Sequence, residues 1–137
     1  MRHESILQNQ IDDCGMEELP NGGHFSCMGI IDRDGYIVAQ SSGFPDISSE
    51  ELNMIIDGID NPNSLARSGF TVGEKKYSLL PTGEHGQALR GRNTNGGISI
   101  NRANSHLVIG IYTDAVAKGD AWTRIDDMTK NIVDLGF

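Results

Sequence analysis

Apolar and polar positions are most clearly patterned between residues 88 and 112, ALRGRNTNGGISINRANSHLVIGIY. Ile98-Ser99-Ile100-Asn101 repeats with a period of two, as a half-buried strand does. Residues 107–112 are almost wholly apolar, which predicts a strand covered on at least one face. Residues 88–90 predict the end of a preceding strand. Two turns separate these runs: 92–97, rich in Asn and Gly that tolerate positive φ, and 102–105. The result is a meander whose apolar face needs a cover. The C-terminal segment supplies one, because from Asp120 the residues Trp122, Ile125, Met128, Ile132 and Val133 recur at helical spacing.

The first half of the chain reads the same way. Ile6, Leu7, Ile11 and Cys14 predict a short amphipathic helix over 4–14, ended by Gly15, and the polar stretch MEELPNGG (16–23) predicts a loop. Residues 25–31 and 36–40 predict a hairpin around Asp34-Gly35. Ser48 and Glu51 have the spacing of a capping box, with Ile47 and Leu52 as its hydrophobic staple. The helix they open buries Met54, Ile55 and Ile59, and Gly58 with Asn61-Pro62-Asn63 is expected to stop it. Residues 64–68 are irregular, 70–72 and 76–80 predict a hairpin around Gly73-Glu74, and 81–83 predict a turn. The order helix, two strands, helix, about five strands, helix predicts an α+β fold. It has an antiparallel sheet of six or seven strands, the N- and C-terminal helices on one face and a further helix on the other. No linker divides the chain, so a single domain spans 1–137, with a helix and variable loop in 1–23.

Composition narrows the function classes. A net charge of −8 argues against nucleic acid as the main partner, since such binding relies on phosphate neutralisation. Lys75, Lys76, Arg90, Arg92 and Arg102 are nonetheless concentrated in the predicted sheet and suggest one basic face. No apolar run approaches the ~20 residues of a membrane span, and the N-terminus lacks a secretory signal pattern. Cys14 and Cys27 form no CxxC and have no His at zinc-site spacing, so free thiols in a reducing cytoplasm are expected.

Catalytic patterns are absent. The chain has no P-loop, GxSxG, HExxH or dinucleotide fingerprint, and His3, His24, His85 and His106 stand in unrelated settings. His106 reads as a solvated turn histidine, and Asp32 and Asp34 as turn residues. Asn93 to Gly97 read as a hairpin loop more readily than as a phosphate nest. No enzyme, metal or cofactor is expected.

The tract LRGRNTNGGISI, followed by LVIGIYTDAVAKGD and a helix closing on IVDLGF, resembles the C-terminal half of a profilin. The likeness extends back through 69–80 to DGYIVAQS at 34–41 and covers roughly three quarters of the chain; order and spacing are its specific features. It implies a mostly monomeric, cytoplasmic and cytoskeletal protein that binds monomeric actin and regulates filament assembly. By position it implies actin contacts from Lys76, Ser78, Leu80, Arg90, Arg92, Ser99, Asn101, Val116, Gly119, Trp122 and Asp127. Arg offers planar multi-donor contacts to carboxylates, and Trp is enriched among interface hot spots. Trp122 stands where the family tends to have a polar residue, and its helical spacing with Ile125 is equally that of a core residue.

Two further properties follow from the resemblance. Phosphoinositide binding would use Lys76, Arg90, Arg92 and Arg102, in competition with actin. Polyproline docking requires a groove of aromatic rings, but the positions implied here are Leu7, Ile11, Val38, Asn131 and Phe137, with Gln10 beside them. Weak or absent polyproline binding is therefore expected. The alternative reading is a roadblock- or longin-like scaffold that binds small GTPases or dimerises, supported by the Asp-Gly hairpin in GIIDRDGYIVAQSSG.

Overall fold

The computed structural model describes residues 3–81 and 87–137, with side chains from Ile6 onward. Helix α1 (His3–Gln10) runs into a π-helical turn (Ile11–Gly15). Strands β1 (Cys27–Asp32) and β2 (Ile37–Gln40) follow, then α2 (Ser49–Asp60) and a 3₁₀ turn (Pro62–Leu65). Strands β3 (Phe70–Val72), β4 (Lys75–Leu80), β5 (Ala88–Arg92), β6 (Gly96–Arg102) and β7 (His106–Thr113) lead to α3 (Lys118–Asp134). This is the predicted order. Most of the predicted turn at 81–83, together with His85, lies outside the described residues, as does the side chain of His3.

All seven strands join one antiparallel sheet in the order β2-β1-β7-β6-β5-β4-β3. Alternation along each strand sends side chains to two separate cores. On one face, α1, the π-helical turn and α3 pack Leu7, Ile11, Ile125, Met128 and Ile132 onto Met28, Ile30 and Val108. On the other, α2 packs Leu52, Ile55 and Ile59 onto Ile31, Leu89, Ile98, Ile100 and Ile109. Helix α3 lies close to the sheet because Gly110 has no side chain. A Cβ there would stand 2.6 Å from the Phe25 ring and 2.8 Å from Ile125 Cδ1.

Local chemistry accounts for the boundaries. The Asp32 carboxylate accepts from the Asp34 and Tyr36 backbone N–H groups at 2.9 and 3.0 Å, bracing the first hairpin, whose Gly35 has φ 90°. Ser48 and Glu51 form the predicted capping box of α2. Gly58, expected to stop that helix, lies inside it, where its missing side chain leaves room for Leu65. The helix ends at Asn61, which the following Pro62 holds out of the helical region. Four further boundaries differ from expectation. The first strand begins at Cys27, since Phe25 instead packs edge-on against Tyr112, centroids 6.0 Å apart. Arg92 and Arg102 belong to strands, paired with Gly97 and Leu107, and α3 starts at Lys118.

Candidate functional site

Register places the expected contact residues of the sheet on one face. Ser78 pairs with Arg92, Leu80 with Arg90, Arg90 with Ser99, and Ala88 with Asn101. Paired residues point to the same side of an antiparallel sheet. Lys76, Ser78, Leu80, Arg90, Arg92, Ser99 and Asn101 therefore share the face covered by α3. That helix packs on β6 and β7 and leaves β4 and the end of β5 open. Lys76, Ser78 and Arg92 are exposed and Leu80 is half-buried, whereas Ser99 has no exposed surface.

Beneath α3 lies a connected polar cluster. Arg90, only 8% exposed, donates from Nη2 to Asp126 Oδ1 at 2.7 Å, and Asn101 Nδ2 donates to the same oxygen at 2.8 Å. The Arg90 guanidinium also lies 4.6 Å from the centre of the Trp122 ring, with Lys118 Nζ 5.5 Å from it. Trp122 is half-buried, and its Nε1–H donates to Tyr112 Oη at 3.0 Å. Burial raises the Tyr112 phenol pKa, against the opposing effects of the Trp122 hydrogen bond and the Arg90 charge. Arg90 Nε, Ser99 Oγ and Asn101 Oδ1 are buried with no partner among the described residues.

This geometry corrects the expectation of one basic face. Arg90 is not on a solvated strand face, because Asp126 and Trp122 cover it. Arg102 pairs with Asp60 at 2.8 Å and donates from Nε to Gln87 Oε1 at 3.0 Å. Lys75 alternates to the opposite side of β4 from Lys76. Among the described residues, Lys76 and Arg92 are the two sheet cations on this face that form no ion pair. Val116 is buried against Gly23, where a Cβ would meet it at 3.2 Å, while Gly119 and Asp127 are exposed. Asp126, Tyr112 and Lys118 escaped the sequence reading. Asp126 had a usable signal: it falls four residues after Trp122, on the same side of the helix.

A sequence model described as Profilin matches residues 5–137. The chain belongs to the profilin family. Profilins are non-enzymatic binding proteins, and the roadblock/longin alternative gives way to that membership. Among solved structures, Acanthamoeba castellanii profilin II is 19% identical, with a TM-score of 0.79 over 96% of this chain and 99% of its own. Mouse profilin IIa, in complex with a double repeat from the FH1 domain of mDia1, is 23% identical, with a TM-score of 0.71 over 98% of each chain. A chain of the LokiProfilin2/rabbit actin complex is 18% identical, with a TM-score of 0.66 over 98% of this chain and 99% of its own. At these identities the likeness concerns the fold.

In this profilin the positions implied for a polyproline groove form no aromatic platform. Leu7 and Ile11 are buried in the core, Val38 is half-buried, and Asn131 is exposed and donates to Gln10 Oε1 at 3.3 Å. Phe137 is buried, its ring edge-on to His106 with centroids 5.5 Å apart. His106 is correspondingly half-buried at the start of β7, not a solvated turn residue. A cavity of about 340 Å³ lies between Leu7, Val38, His106 and Phe137. Cys14 and Cys27 are free thiols, and burial pushes the Cys27 pKa up. Among the described residues no helix is long and apolar enough to cross a membrane.

Proposed function

We propose that this profilin binds monomeric actin through the open part of the α3-side face and so regulates the monomer pool and filament assembly. Family membership supports the reading, as does a fold shared with a chain of the LokiProfilin2/rabbit actin complex. The observation that carries it is local: Arg92 and Lys76, which form no ion pair among the described residues, are exposed on the same sheet face over which Trp122, Gly119 and Lys118 open α3. Ser78, Leu80 and Asp127 extend that rim, and Arg90, Ser99, Asn101 and Val116 support it from below. Occupying one end of the actin subunit blocks nucleation while still allowing addition at the growing filament end. A monomeric, cytoplasmic protein acting on the cytoskeleton fits this role.

Two secondary ligands follow with lower affinity. Phosphoinositides would meet Lys76 and Arg92, because Arg90 and Arg102 are already neutralised by Asp126 and Asp60; their site overlaps the actin face and competes with it. Proline-rich peptides would find few aromatic contacts and bind weakly or not at all. The deciding experiment is a calorimetric titration with ATP-actin monomers. Saturable one-to-one binding is expected for the wild type, and Lys76→Glu/Arg92→Glu should weaken it by about 2–3 kcal/mol, roughly 30- to 150-fold in Kd. Equal affinity of the two proteins would move the interface off this face.

A further inference from the structure

On the actin-binding reading just given, the cluster under α3 divides the labour between two arginines that the sequence presents as a pair. We propose that Trp122 is the anchor residue of this face, that Arg92 supplies its charge, and that Arg90 is a positioning residue that braces the indole without meeting the partner. Four observations converge on that division.

Arg90 is nearly inaccessible, and its charge is already matched by Asp126 at 2.7 Å. The Asp126 side chain keeps 55% of its surface exposed, so a partner approaching above Arg90 meets a carboxylate and not a guanidinium. Trp122 is held at three places. Its ring faces the Arg90 guanidinium at 4.6 Å, Lys118 approaches at 5.5 Å, and its N–H is fixed by Tyr112 Oη at 3.0 Å. Such a ring loses little rotational freedom on binding, which is what makes a half-buried aromatic an effective hot spot. Finally, Gly97 leaves room for the hydroxyl that holds the indole, since a Cβ there would stand 2.5 Å from Tyr112 Oη.

Arg92 is the contrast. It lies two residues along the same strand on the same face, yet it is exposed and unpaired among the described residues. A charge that contacts a partner changes the salt dependence of binding, whereas one already compensated inside the protein does not. The same spacing in sequence thus gives two opposite roles.

The test compares Arg92→Met, Arg90→Met/Asp126→Asn and Arg90→Lys in actin titrations over a series of salt concentrations. It is paired with the emission spectrum of Trp122, the only tryptophan of the chain, in the free protein. Thermal melts first establish that each variant is folded. Arg92→Met should reduce the salt dependence of Kd and leave the free-protein emission unchanged. Arg90→Met/Asp126→Asn, which removes both charges of the pair, should keep the wild-type salt dependence, weaken binding about tenfold and shift the emission; Arg90→Lys, which keeps the pair, should fall between it and the wild type in affinity and emission. Trp122→Ser should weaken binding at least as much as Arg92→Met at every salt concentration. The proposal is overturned if Arg90→Met/Asp126→Asn loses salt dependence as Arg92→Met does, or if its emission matches the wild type. Failure of the wild type to bind actin sinks the actin reading alone. The brace is then judged by the free-protein spectra, which need no partner.

Discussion

Glu51 connects two elements through a single carboxylate. It accepts from Ser48 N at 3.1 Å to complete the capping box, from Gly73 N at 3.2 Å, and from Glu74 N at 3.0 Å. The start of α2 is thereby clamped to the β3–β4 turn, where Glu74 itself has φ 69°. Burial pushes the Glu51 pKa up, but the backbone N–H groups of Glu74, Ser48 and Gly73 and the Thr71 side chain together outweigh it, leaving a net lowering. A lowered folded-state pKa means that this stabilisation is complete above the ordinary carboxylate range and is lost as pH falls through and below it. Glu51→Gln sets an amide N–H₂ against backbone donors and should cost about 1–3 kcal/mol at pH 7. Denaturant melts from pH 7 to pH 3 should show a shallower loss of stability with acid in this variant than in the wild type. Half of the arrangement was legible: Ser48 and Glu51 have the spacing of a cap. The reach to Gly73 and Glu74 was not, because a capping motif carries no information about a turn 22 residues away.

At the scale of elements, α3 does more than cover the sheet. Arg124 donates from Nη1 to the carbonyls of Cys14, Gly15 and Glu17 at 2.6, 3.3 and 3.1 Å, and from Nη2 to Glu18 O at 3.2 Å. One turn earlier, Asp120 accepts from Asn21 N at 2.9 Å and from its amide Nδ2 at 3.1 Å. The loop 16–23 is thus tied down at two points while Glu17 and Glu18 stay exposed. Arg124→Ala should cost about 1.5–3 kcal/mol. It should also make the loop several-fold more susceptible to a glutamate-specific protease, with cleavage after Glu17 or Glu18 read by mass spectrometry. The apolar stripe of α3 was evident from Ile125, Met128 and Ile132, since burial follows the helical period. Arg124 and Asp120 were invisible as tethers, because their partners, mostly backbone groups, lie in a loop without a pattern.

For the whole molecule, two helices on one face and one on the other followed from the order of patterned segments, as did an antiparallel sheet of seven strands. Which basic residues stay open did not follow, since Arg90 and Arg92 differ only in how far α3 extends over β5. The surface between α1 and α3 carries a prediction of its own. Gln10→Trp with Asn131→Tyr places two aromatic rings side by side where Gln10 and Asn131 now share a hydrogen bond. This variant should bind a proline-rich peptide at least tenfold more tightly than the wild type in a fluorescence titration. The sheet order also fixes a sequence of events in time. From β3 to β7 each strand lies beside its chain neighbour, so these pairings require only short loop closures. The β1–β7 seam alone joins strands distant in the chain, and it forms only after β7 is in place. In stopped-flow experiments Ile100→Val, in the meander, should therefore chiefly slow refolding, whereas Ile30→Val, at the seam, should chiefly hasten unfolding. The half of the sheet built last is then the half that opens first.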